Sequence, residues 1–144
     1  MIWKLRIECV RGFYLESECV RVLEINSKTS LLHLHSAIHA AVNFDRDHAF
    51  EFFAGRTPSN KKMKLIDDLD LDESYCKYGK MILEQIYPLP KSCKLYYHYD
   101  FGDDWYFEIR KLRAKPVEPV PGVKYPCVIE SIGPNPKQYG NWED

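Results

Sequence analysis

The sequence predicts an α+β fold: a mixed, mainly antiparallel β-sheet packed on one main helix, with an extended Pro-rich C-terminal tail. Three observations lead there. Trp3, Leu5, Ile7 and Cys9 alternate with Lys4, Arg6 and Glu8, the period of two that a half-buried strand requires. Leu31, Leu34, Ile38, Ala41 and Val42 recur at helical spacing and form one apolar stripe. Between positions 95 and 112, two runs that alternate aromatic and polar residues flank Gly102-Asp103, a pair suited to the centre of a tight type II′ hairpin turn.

The elements follow in order. After the first strand and a link around Gly12, Cys19–Ile25 reads as a second strand, and the short separation favours an antiparallel pair. Its apolar positions change phase between Val22 and Leu23, so a bulge or burial of both faces is expected. Thr29 or Ser30 caps the helix and Asn43 ends it. His48–Ala54 is a third strand. Gly55–Lys64, with Pro58, Ser59, Asn60 and four basic residues, reads as a loop, and Asp67–Glu73 as an acidic segment. Tyr75–Tyr87 is expected to form a short helix stopped by Pro88 and Pro90. Strands at Leu95–Phe101 and Trp105–Leu112 close the sheet. Residues 1–144 are expected to form one domain, with the proline-rich stretch 116–144 packed on it through Tyr125, Ile129, Tyr139 and Trp142.

Composition narrows the function classes. The 144 residues suffice for a substantial core, and at 14% the aromatics are abundant, many of them Tyr with a polar tip suited to a pocket edge. A net charge of -1 shows no basic excess of the kind that phosphate-gripping proteins carry. Nucleic acid is therefore the less supported partner class, beside protein or a small polar ligand. The five cysteines are scattered without a close pair, which argues against structural zinc and for buried apolar thiols. The N-terminus lacks the apolar run of a signal peptide, and no stretch approaches the length of a membrane span. These features predict a cytoplasmic protein without membrane association, cofactor or metal. There is no Gly-rich phosphate loop, no G-x-S-x-G and no cysteine in a catalytic setting, so no catalytic residue is assigned.

The densest chemistry lies in Tyr97-His98-Tyr99-Asp100-Phe101-Gly102-Asp103-Asp104-Trp105. Such a tip can hold a polar ligand or a hard cation through its carboxylates. A structural role competes and is favoured: Asp100 capping backbone N–H groups, Asp103 within the turn and Trp105 in the core. The candidate binding residues are His48, Tyr99, Asp100, Asp103, Asp104 and Trp105. His33, His35 and His39 lack an obvious third ligand and read as neutral surface or boundary residues. Asp68, Asp70 and Asp72 imitate the start of an EF-hand, but Glu73 and Gly79 occupy the positions that need Gly and Glu, so they read as a solvated acidic face. Arg110, Lys111, Arg113 and Lys115 form one basic cluster beside Tyr106, and Lys61, Lys62 and Lys64 another. They fit either phosphate contact or protection of an edge strand and a loop, with protection favoured.

The string YHYDFGDDW resembles the signature of the plasmid pRiA4b ORF-three-like family, bacterial and archaeal domains sometimes labelled mobile-element passengers. The resemblance extends to Arg21-Val22-Leu23, to Thr29–Phe53 with Phe44-Asp45-Arg46-Asp47-His48-Ala49-Phe50-Glu51-Phe52, to Tyr125-Pro126 and to Asn135–Tyr139. It implies a small α+β domain and no established activity or cofactor. Many members carry histidines where this chain has Phe50 and Phe107, which argues against a histidine-rich catalytic site here. The resulting expectation is a non-catalytic binding or interaction domain. The alternatives are a nucleic-acid-associated accessory protein and, behind it, a metal-dependent hydrolase using His48 with Asp100, Asp103 or Asp104.

Overall fold

A computed structural model of the chain describes residues 1–45, 48–67 and 81–139. The acidic segment beyond Asp67, the first part of the expected Tyr75–Tyr87 helix and the Trp142 anchor lie outside those residues. Strands β1 (Ile2–Arg11), β2 (Val20–Asn26), β3 (Phe50–Gly55), β4 (Lys61–Asp67), β5 (Lys94–Tyr99), β6 (Trp105–Lys111) and β7 (Cys127–Ile132) form one seven-stranded sheet in the order β4-β3-β5-β6-β1-β2-β7. Every pairing is antiparallel.

This corrects the predicted fold class. The described residues are mostly antiparallel sheet, with helix confined to α1 (Leu31–Val42) and the single turn α2 (Leu83–Ile86), so the architecture is not a mixed sheet packed on one main helix. Two strands account for much of the difference. Lys61–Asp67 pairs with β3 as an edge strand, although its lysines read as a loop. Lysine on an edge is one way a sheet discourages further pairing, so the charge that hid the strand suits its position. The tail likewise contributes β7, which pairs with β2 along an exposed edge.

Local signals behave as their chemistry demands. Ser30 caps α1, its hydroxyl accepting from the His33 amide at 3.2 Å, and Asn43 closes it in the left-handed region at φ 59°. The Val22/Leu23 phase change coincides with a register shift against β7, and Val20, Arg21, Val22 and Leu23 are all buried. The core gathers Leu5, Ile7, Leu23, Ile25, Phe52, Leu95 and Tyr97 from the sheet with Leu31, Leu34 and Ile38 from α1. Burial of about 25 cal/mol per Å² of such surface is the main stabilising contribution. Cys9 and Cys19 are buried among these residues, and burial raises both thiols, which leaves them as unreactive apolar groups.

A buried cation fastens the tail. Arg21, 4% exposed, donates to the carbonyls of Val20 (2.8 Å), Ala41 (3.3 Å) and Ile132 (3.2 Å) and to Asn135 Oδ1 (2.7 Å). One guanidinium therefore links β2, the end of α1, β7 and the chain beyond it. Its place beside a last-turn carbonyl of α1 is also where a helix favours positive charge.

Candidate functional site

The expected two-residue turn is replaced by a wider loop. Tyr99 pairs with Trp105, leaving residues 100–104 between the strands, and the Asp104 amide donates to the Asp100 carbonyl at 2.6 Å. Positive φ falls on Asp100 (60°) and Asp104 (52°) and not on Gly102, so the glycine is not serving a type II′ turn. Asp100 organises the loop: its Oδ1 accepts from the amides of Gly102 at 3.1 Å and Asp103 at 3.3 Å.

That loop divides the candidate residues between two faces. On one, His48 Nε2 lies 3.7 Å from Asp100 Oδ2 and the His48 amide donates to Tyr99 Oη at 3.1 Å. The Tyr99 hydroxyl in turn donates to the Asp45 carbonyl at 2.5 Å, and Gln138 clasps the Asp45 backbone, accepting at 2.6 Å and donating at 3.1 Å. Asp103 joins this group; partial burial first, and then the neighbouring Asp100 charge, hold its carboxyl above the usual range, while His48 pulls the other way. On the opposite face, Asp104 accepts from His98 Nε2 at 2.8 Å, with Glu51 3.5 Å from the other ring nitrogen and Tyr106 stacked on the imidazole at 4.0 Å. Trp105 joins neither group; its side chain is fully buried. His48, Tyr99, Asp100 and Asp103 are thus brought together, and Asp104 and Trp105 are not. Among the described residues, no three His, Cys, Asp or Glu side chains are grouped so as to hold a metal ion.

A test of the loop follows from these bonds. Asp100→Ala removes the acceptor of two amides and a residue type that tolerates positive φ, and should cost about 1–3 kcal/mol by denaturant unfolding. Asp100→Asn keeps both features and should recover most of that loss.

At the other end of β5 and β6 lies an open cleft of about 730 Å³. Its floor is apolar: Trp3, Tyr87, Leu89 and Ile109. Trp3 and Tyr87 meet edge to face with centroids 6.1 Å apart. Lys91, Lys111 and Arg113 line the cleft too, Lys94 and Arg110 reach it from the opposite face of the sheet, and none of the described lining residues is acidic. Glu108, 8% exposed and just outside the lining, takes Arg110 Nε at 2.7 Å and Lys94 Nζ at 3.6 Å. Lys111 Nζ sits over the Trp3 ring at 4.8 Å. Lys91 and Arg113 form no ion pair among the described residues.

The plasmid pRiA4b ORF-3-like protein family matches residues 4–138. The chain belongs to that family. The function of that family is uncharacterised. A crystal structure of a protein of unknown function from Methanosarcina mazei Go1 superposes with a TM-score of 0.66 at 22% identity, covering 90% of this chain and 68% of that one, a likeness of fold. Comparison with curated proteins gives no match.

In this pRiA4b ORF-3-like chain, Phe50 and Phe107 are both buried, and Phe50 stacks on His35 at 4.1 Å. His39 is neither the surface nor the boundary residue the sequence suggested. At 3% exposed, it shares the Tyr97 hydroxyl with His35, its Nε2 at 2.7 Å. Its Nδ1 faces the Phe44 carbonyl at 3.3 Å, an acceptor, so that nitrogen is the donor of the pair. The helical spacing of the two histidines was visible; their tyrosine partner, 58 residues away from His39, was not. The two basic clusters also separate, because β3 and β5 lie between β4 and β6. Arg110, Lys111 and Arg113 instead meet Lys91 and Lys94, which no sequence pattern had joined to them. No helix among the described residues is long and apolar enough to cross a membrane.

Proposed function

We propose that this pRiA4b ORF-3-like domain is a non-catalytic binding module for an anionic ligand, and that the ligand occupies the basic cleft. The reading rests on Lys91, Lys111 and Arg113 beside an apolar floor, in a described lining without an acid; Lys94 and Arg110 also line the cleft but are paired with Glu108 on the opposite face of the sheet. Glu108 offsets only part of that charge. A bound anion would supply the remaining counter-charge, while the apolar floor would accept whatever hydrocarbon or ring the anion carries. The acidic loop is less open to this use, since its carboxylates already bond backbone amides and imidazoles. Of the carboxylates a hydrolase built on His48 could use, Asp104 turns to the other face, which leaves Asp100 and Asp103 on the His48 side.

Inorganic polyphosphate at low ionic strength provides the test. The full chain should bind it, and Lys91→Glu with Arg113→Glu should weaken binding about ten-fold or more, because both side chains are free of carboxylate partners among the described residues. Affinity unchanged by the double reversal would refute the cleft as the binding surface. Turnover of a substrate by the purified chain would refute the non-catalytic reading.

A further inference from the structure

The rim of the cleft asks for negative charge, but its floor asks for something more particular. Resting on the anion-binding reading above, we infer that the cleft takes a nucleotide, its phosphate at the basic rim and its base on Trp3. Trp3 is partly buried, packs against the core and meets Tyr87 at 79° from coplanar, which limits how far the indole can move. What now covers the indole face is an ammonium: Lys111 Nζ, 4.8 Å from the ring centroid. A lysine on a flexible four-carbon stem is a displaceable lid, since a single cation–π contact of a partly exposed ammonium is weak. A planar base entering the cleft replaces Lys111 over the indole, and the released ammonium joins Lys91 and Arg113 at the phosphate. The same side chain therefore guards the ring in the free protein and neutralises the ligand in the complex.

An anion without a ring, such as sulfate or polyphosphate, would use the rim and leave Trp3 covered. A ring without charge would displace Lys111 with no acceptor for it. Only a group carrying both uses both surfaces. Nucleotides have this chemistry whether free or linked in a single strand, where stacking on aromatic side chains beside a basic track is the general mode of recognition.

The experiment compares three probes on the full chain at low salt: thymidine monophosphate, a single-stranded oligothymidylate of about 12 nucleotides and inorganic polyphosphate. Trp3→Leu should weaken both nucleotide probes about ten-fold or more and leave polyphosphate affinity unchanged. Lys91→Glu with Arg113→Glu, at exposed positions where folding is not at stake, should weaken all three. If oligothymidylate binds far more tightly than the monophosphate, with log affinity falling about two units per decade of salt for three phosphate contacts, the source is a single strand; equal affinities identify the free nucleotide. If polyphosphate binds as tightly as oligothymidylate and Trp3→Leu alters neither, the nucleotide inference is overturned while the anionic cleft stands. If no probe binds, or the double reversal changes none of them, both fall.

Discussion

Replacing Trp105 with alanine should destabilise the protein by about 3–5 kcal/mol, read as a lower midpoint in urea or guanidinium unfolding. The indole is fully buried, and it meets Phe44 with centroids 5.0 Å apart. Gly12 crosses so close above it that a Cβ there would lie 2.1 Å from the ring's Cε3. The crossing segment is in turn tied to the loop, the Phe13 amide donating to the Asp103 carbonyl at 2.8 Å. Truncation to alanine thus leaves a cavity under a strap that cannot readily follow it. Trp105 Nε1 is buried without a hydrogen-bond partner among the described residues, so the ring is held by packing alone. Trp105→Phe, which retains an aromatic ring and deletes that unpartnered donor, should lose markedly less. A melt indistinguishable from wild type for Trp105→Ala would mean the indole is not a packing element at all.

Arg21→Met should cost about 1–3 kcal/mol, because it withdraws a buried charged donor from four acceptors, one of them buried and three part-buried. Four groups on four segments lose their partner together: the carbonyls of Val20, Ala41 and Ile132 and the amide oxygen of Asn135. Methionine fills comparable volume, so the loss reports on hydrogen bonds and not on a void. Hydrogen exchange should show β7 and the residues after it losing protection before β5 and β6 do, since β7 pairs only with β2 while the other two are flanked on both sides. Uniform loss across the sheet would contradict this account of Arg21 as the fastening of the tail.

How much of this was legible depended on whether the deciding interaction was local. Ser30, the stripe from Leu31 to Val42 and Asn43 specify a helix because cap, periodicity and stop act within a few residues of one another. The alternating strands at β1, β5 and β6 are legible for the same reason. β7 was not, because exposed Val128, Ile129 and Ile132 on an edge show no inside–outside alternation. At the loop, composition pointed to Gly102 for positive φ. Asp100 took it instead, since its own side chain accepts from the amides that follow. The carboxylates of positions 100, 103 and 104 look like one cluster in sequence, yet the left-handed turn at Asp104 sends its side chain to His98. The basic cleft was hidden for the opposite reason: Trp3, Lys91 and Arg113 are far apart along the chain and meet only once the strands pair.

The positions of the loop and the cleft also explain why the chain's overall charge of -1 was a poor guide. They sit at opposite ends of β5, six residues or about 20 Å apart. Ions in physiological saline attenuate a charge over about 8 Å, so an anion at Lys91 scarcely feels Asp103. Among the described residues, the two ends of β5 are then electrically opposed. An anionic ligand of the kind proposed would be drawn toward the basic end before it made any contact, although the sum over the whole chain is close to zero.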